Sequence, residues 1–389
     1  MTQKLYWENA YQIKFKAKVI ATTDEGIILD KTLFYPESGN QASDQGILFF
    51  GGKKIRVNKV TKEIEEIIHH ISSDSKNKIN IGDIIEGEID WEHRYGIMKA
   101  HTSQHIFSAV LKNKYNIDTI RAILNFEEVF LHISQKIGSK QLKEILTEIN
   151  KICNSNNLEI KASIITHAET NEISNKIRST IPEEPLIRLM EIKDLDLVCC
   201  GGTHVKNSIE IGQIFIYEFK KGNEIRYTVG NKALEMSSNL NIDLITLAND
   251  INSPIFKFKD LLNKQLESMH NMQEQNKDLS IKLLELISKS PLKIINDILL
   301  FFIEFNVDIK ILNKSLENFP PNSLIILKFE KNKIRLLSPS EKVNTNELLQ
   351  KLIKNYGGKG GGNPKSSQGF LKNMPQNISK EIESLIQNI

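Results

Sequence analysis

The chain has 389 residues, 40% of them hydrophobic and 25% charged, and a formal net charge of +3. This length predicts two or three domains of a soluble globular protein, and a net charge so small names no partner, so any nucleic-acid surface must be local. The totals exclude a membrane-spanning run and an N-terminal signal peptide, which sets a cytoplasmic location as the default, and three cysteines with one adjacent pair argue against a disulfide framework.

Residues 11–90 read mostly as strands. "YQIKFKAKVIAT" alternates, "GIILDKTLFY" follows Asp24–Gly26, and "GILFFGGKKIRVNKV" predicts a hairpin turning at Gly51–Gly52. "IGDIIEGEIDW" predicts a strand pair or one bulged strand. Short strands with turns between them predict a small β-barrel over 1–90.

From Trp91 the period changes. "HRYGIMKAHTSQHIFSAVLKNKY" has helical spacing and no proline, which predicts a helix over roughly 95–114. "AILNFEEVFLHIS" reads as strands and "SKQLKEILTEINKICNSN" as a second amphipathic helix. "LEIKASIITH" reads as a strand, "AETNEISN" as helical, and "LIRLMEIKDLDLVCCGGTHV" as strand, turn and loop. "IGQIFIYEFKKGNEIRYTVG" predicts a hairpin around Lys220–Asn223. The class is α+β with mainly antiparallel pairing over 91–235.

Residues 236–290 read as a helical connector. Leu262, Leu266 and Met269 begin a partial heptad seam that Leu279, Leu283 and Leu286 resume, and Pro291 ends it. Residues 291–389 form an α/β unit ending in "GGKGGGNPKSSQGF", with five glycines between Gly357 and Gly362.

His101 and His105 in "HTSQH" stand at i and i+4 and share one helix face. Cys200 and His204 in "CGGTH" have the same spacing, but Gly201 and Gly202 suit a tight loop. Each residue alone reads first as an ordinary core or surface residue. Together they offer three imidazoles and a thiolate, a donor set for Zn²⁺ that only the fold can assemble across about one hundred residues. Cys199 points the other way on an extended backbone and is assigned to packing.

"HTSQH", "CCGGTHV" and "FYPESGNQASDQG" together resemble the editing domain of alanyl-tRNA synthetase and its free-standing relatives, the AlaX proteins. "GGKGGGNPKSSQGF" resembles the glycine-rich motif of the synthetase's C-terminal domain. Four motifs in family order, from Tyr11 to Phe370, look like the long form of AlaX. The resemblance implies a trans-editing deacylase that frees serine or glycine from tRNA specific for alanine. It carries over His101, His105, Cys200 and His204 as zinc ligands, and Gly39 and Gln41 as borders of the pocket for the terminal adenosine and aminoacyl group. It implies a site role for Thr203 beside a ligand, and matches Tyr35 and Asp44. Two departures stand out. Asn40 replaces a third glycine, and Arg121 and Ile123 stand where the family often has a small residue and a histidine.

A pocket that hydrogen-bonds serine's hydroxyl can prefer serine over alanine, and Thr102, Ser103 and Thr203 are candidate partners. Residues 291–370 carry twelve Lys or Arg against seven Asp or Glu. This unit is therefore the candidate for tRNA capture, with Lys359 and Lys365 flanking bare glycines such as Gly358 and Gly360. A phosphate loop is the weaker alternative there, because no Ser or Thr follows the lysine. The synthetase resemblance also implies a homodimer through the helical part. Three readings stand: a zinc-dependent aminoacyl-tRNA hydrolase, a tRNA-binding module with structural zinc, and a zinc hydrolase of small esters.

Overall fold

The alternation in "KFKAKVIAT" becomes the strand Lys14–Thr22, whose Phe15, Ala17 and Val19 are buried between exposed lysines. The structure is a computed structural model that describes residues 2–387 apart from 65, 306, 330 and 331. It divides into two compact units, Met1–Leu247 and Ala248–Ile389.

The first unit opens with a seven-stranded antiparallel sheet. Its order is Lys53–Val57, Gly46–Phe50, Ile84–Ile89, Lys14–Thr22, Gly26–Leu29, Glu66–His70 and Lys59–Glu63. The expected hairpin turns at Gly51 and Gly52, both at positive φ, as a two-residue turn that matches strand twist requires. "IGDIIEGEIDW" forms one strand rather than two. Among the described residues no ladder joins the edge strands Lys53–Val57 and Lys59–Glu63, so the hydrogen-bonded order runs open. Tyr6, Val19, Leu29, Phe34, Leu48 and Ile67 pack its core.

The helix Trp91–Tyr115 follows, capped at its N-terminus by the Asp90 side chain and ended by Asn116 in the left-handed region. It is buried along most of its length beneath a four-stranded sheet of Thr119–Asn125, Glu128–Ile133, Glu224–Val229 and Ile214–Lys220. Arg94 of this helix donates through Nε to Asp44 at 2.8 Å and through Nη2 to the other carboxylate oxygen. Asp44 also accepts from the Tyr35 backbone. These two motif residues thus join the first sheet to the helix. A third sheet, Ile160–Thr166, Leu186–Ile192 and Asp196–Cys199, is antiparallel throughout. The stretch read as strand, turn and loop is strand, turn, strand and then loop.

The helix Gly230–Asp250 leads out of this unit. In the second unit the helix Phe258–Ser288 leaves the seam residues Leu262, Leu266, Met269, Leu279, Leu283 and Leu286 exposed. A six-stranded sheet follows in the order Lys293–Ile295, Ile298–Ile303, Ser323–Phe329, Lys333–Leu337, Ser366–Leu371 and Gly358–Asn363. The helices Thr345–Tyr356 and Ile378–Gln387 pack through Leu348, Leu352, Ile382 and Ile386. The glycine run is neither a loop nor a phosphate cradle. It is the edge strand of a hairpin, fully exposed and paired with Ser366–Leu371. A Cβ at Gly360 would stand 2.5 Å from Gly369 Cα, so bare backbone is what lets the two strands close. No helix among the described residues is long and apolar enough to cross a membrane.

Candidate metal centre

His101 and His105 lie one turn apart on the buried helix Trp91–Tyr115, and the loop after Asp196–Cys199 returns Cys200 and His204 to them. One donor atom from each of the four lies within 4.8 Å of the others. Cys200 Sγ stands 3.5 Å from His101 Nε2 and 3.3 Å from His204 Nε2. A tetrahedral zinc with bonds of about 2.3 Å to sulfur and about 2.0–2.1 Å to nitrogen separates such atoms by about 3.6 Å.

The partners of the other ring nitrogens assign the tautomers of His101 and His204. Gln41 Oε1 accepts from the Thr203 N–H at 3.1 Å, which orients its amide, and it also accepts from His101 Nδ1 at 2.7 Å. Thr102 commits its hydroxyl hydrogen to Met98 O at 2.8 Å. Its oxygen therefore accepts from His204 Nδ1 at 3.2 Å. His105 Nδ1 faces Asp196 at 3.6 Å, an ion-pair distance, and Arg178 grips that carboxylate with two 2.7 Å hydrogen bonds. All three imidazoles are thereby left with Nε2 toward the thiol, the arrangement a metal site needs.

Charge follows the same geometry. Burial holds His101 and His204 below the ordinary histidine range, His204 at about 3, as neutral imidazoles. Burial opposes charge on His105 too, but the Asp196 carboxylate and Cys200 outweigh it and push it to about 9. Burial resists ionisation of Cys200, yet the neighbouring imidazoles hold the thiol well below its usual value. The Gly202 N–H also donates to Sγ at 3.5 Å.

The loop needs its second glycine. A Cβ at Gly202 would sit 2.2 Å from His101 Cε1 and 2.6 Å from Gln41 Oε1, whereas one at Gly201 meets only Trp7 Cζ2 at 3.7 Å. Trp7 Nε1 donates to Gly201 O, and Arg188 Nη1 donates to Cys200 O and Gly202 O. The two cysteines part company: Cys200 packs against the core of the site helix, and Cys199 against Ile177, Ile187 and Leu189.

Other motif residues land as follows. Gln41 is buried with its amide oxygen against His101 Nδ1. Gly39 and Asn40 take φ of +58° and +65° at an exposed turn. Asn is among the few residues that tolerate this region, so Asn40 can stand where the family resemblance implies a glycine. The turn docks on the strand Thr119–Asn125 through Leu124 N–H to Asn40 O and Ala42 N–H to Leu124 O. Ala122 and Leu124 face the core there, which places Arg121 and Ile123 on the opposite face. Thr102 and Ser103 donate to carbonyls of their own helix, so neither keeps a free donor for a serine hydroxyl. Thr203 Oγ1 accepts from Gln41 Nε2 and is fully buried. Lys359, Lys365, Gly358 and Gly360 lie together on the exposed hairpin of the second unit. Beside His204 opens a cavity of about 440 Å³ walled by Tyr6, Trp7, Tyr11, Arg188, Met190 and Lys206.

Three family models match the chain: "tRNA synthetases class II (A)" over residues 6–93, "Threonyl and Alanyl tRNA synthetase second additional domain" over 187–229, and "DHHA1 domain" over 298–389. Alanyl-tRNA editing protein AlaX-L of Pyrococcus horikoshii is 27% identical over 97% of this chain and 96% of its own length. The chain is similar end to end to an AlaX-type editing protein. An alanine–tRNA ligase of Saccharolobus islandicus is also 27% identical, over 99% of this chain, which spans 43% of that ligase. The C-Ala domain of Aquifex aeolicus alanyl-tRNA synthetase aligns with 24% of the chain at 19% identity and a TM-score of 0.21. The AlaX resemblance read from the motifs is borne out by the three family models and by the match to AlaX-L.

Proposed function

We propose that this chain is a zinc-dependent deacylase that hydrolyses the ester joining serine or glycine to tRNA specific for alanine. One observation carries the reading. The buried cluster His101, His105, Cys200 and His204 turns three Nε2 atoms and a thiolate to one point, in a chain similar along its length to a protein named for alanyl-tRNA editing.

These four side chains would hold the zinc, which supplies a Lewis acid and a water whose pKa falls to roughly 7. The rest is done by the chain's own groups. Gln41, Asp196 and Thr102 fix the three rings. Trp7 and Arg188 hold the ligand loop. The turn around Gly39 and the cavity beside His204 border the aminoacyl end, and Thr203 supports the turn through Gln41.

In this reading residues 1–90 and 91–235 make the editing part, 236–290 a connector, and 291–389 the part that captures tRNA through Lys359, Lys365 and the bare strand of Gly358 and Gly360. The exposed leucines and methionines of Phe258–Ser288 serve pairing with a second copy, and the protein works in the cytoplasm.

The test is release of serine, glycine and alanine from tRNA specific for alanine, with His101→Ala and Cys200→Ala as controls. Serine and glycine should be released well above background and alanine should not. Equal serine release by the native protein and His101→Ala would sink the reading.

A further inference from the structure

Arg188 is a buried cation with no carboxylate partner, and the anion that favours its charge is the Cys200 thiolate. It lies on the strand Leu186–Ile192 and is 8% exposed. Arg94 pairs with Asp44, and Arg178 with Asp196, but no carboxylate among the described residues pairs with Arg188. Its Nη1 donates to Cys200 O at 2.8 Å and Gly202 O at 2.9 Å. Its Nε is buried with no partner, and its Nη2 makes no hydrogen bond among the described residues.

A buried guanidinium with two of its three nitrogens unbonded is costly, so the fold needs a reason to keep it. Clamping the loop explains one nitrogen of three. Arg188 also lines the cavity beside His204, and Lys206 stands on the same wall. Two loop carbonyls fix the plane of the fork, which leaves the Nη2 hydrogens as donors oriented before any ligand arrives.

We propose that Arg188 binds a negatively charged oxygen of the aminoacylated 3′ end of the RNA. That oxygen is either the phosphate of the terminal nucleotide or the oxyanion that forms when water adds to the ester carbonyl. The inference rests on the deacylase reading above.

The experiment compares Arg188→Met and Arg188→Lys with the native protein. Zinc content and thermal unfolding are measured first, then steady-state serine release, then calorimetric binding of adenosine 5′-monophosphate. Contact with the oxyanion lowers kcat by about 10²–10³-fold in Arg188→Met at full zinc content, with KM and nucleotide binding little changed. Contact with the phosphate raises KM and weakens nucleotide binding tenfold or more, with kcat kept. Arg188→Lys should recover either loss only in part, because a single ammonium cannot hold two carbonyls and a ligand. Arg188→Met with full zinc and native kcat, KM and nucleotide affinity overturns the proposal. So does a loss of zinc that Arg188→Lys fully restores together with activity, since Arg188 would then only clamp the loop. If the native protein releases no serine, the deacylase reading falls, and nucleotide binding lost in Arg188→Met still supports the anion site. A native protein that neither releases serine nor binds the nucleotide overturns both.

Discussion

His101 Nδ1 donates to Gln41 Oε1 at 2.7 Å, so the residue that follows the Gly39–Asn40 turn fixes a ring on the helix sixty positions later. The same oxygen accepts from the Thr203 N–H, which ties the turn to the ligand loop. Gln41→Leu removes the acceptor for both in a buried site. Metal affinity should fall about 10–100-fold, the usual cost of deleting such a partner. Competition with a chromogenic chelator measures it, and an unchanged affinity would show that the ring needs no help from Gln41.

The two glycines of the ligand loop should behave differently. Gly202→Ala places a methyl 2.2 Å from His101 Cε1, so the ring or the loop must move. Gly201→Ala adds an ordinary contact at 3.7 Å. Elemental analysis of the purified variants should find little metal in Gly202→Ala and native metal in Gly201→Ala. Equal metal in both would mean that the loop can shift freely.

The Arg94–Asp44 pair is fully buried and carries the backbone of Tyr35 and Leu33 with it. Arg94→Met leaves Asp44 charged and unpaired, at a cost of about 3–5 kcal/mol. Both tryptophans, Trp7 and Trp91, belong to the first unit, so their fluorescence in urea reports on that unit alone. Replacing both partners by Met and Leu should recover much of the loss. If the single variant unfolds at the native urea concentration, the pair does not hold sheet to helix.

His105 gives the centre its pH dependence. Burial opposes its charge, but Asp196 and Cys200 outweigh burial and push it to about 9, above an unfolded value of roughly 6.5. The sign follows from the raised value. In the metal-free protein the charged ring stabilises the fold fully below about 6.5, and that contribution is lost as pH rises through about 9. A metal taking Nε2 must displace that proton, so affinity should climb up to tenfold per pH unit across this window and level off above it. Asp196→Asn should flatten the slope. An affinity that is flat between pH 6.5 and 8.5 in the native protein would overturn the assignment of a charged His105.

The candidate ligand set was legible in the chain because each pair has its own local reason. Helical period aligns His101 with His105, and a glycine turn folds Cys200 toward His204. The groups behind them left no such trace. Asp196 and Arg178 reach His105 from a strand and a loop that only the tertiary fold brings near. Arg188 reads as one of two polar positions in the strand Leu186–Ile192 until its burial is seen. Thr102 and Ser103 read as candidate partners for a serine hydroxyl, but each mid-helix hydroxyl gives its hydrogen to the preceding turn. The glycine run shows no strand signal of its own, because glycine disfavours strands. Its partner "SSQGFL" alternates, buries Ser367, Gly369 and Leu371, and draws the run in as an edge.

That edge strand sets the last prediction. Lys359 lies on it and Lys365 in its turn, both exposed, and the glycines offer no side chain to keep a polyanion away. If this hairpin meets tRNA, each lysine neutralises one phosphate. The double variant Lys359→Ala/Lys365→Ala should then bind tRNA more weakly and reduce the salt slope of log K by about 1.4–1.8. Metal content and unfolding of the first unit should not change, because the hairpin belongs to the other unit. Gly360→Ala is the complementary change: its methyl, 2.5 Å from Gly369 Cα, pushes the hairpin open without removing charge. It should weaken binding while leaving the salt slope near native, since both lysines remain. A double lysine variant with native affinity and native slope would place the RNA on another face of the unit.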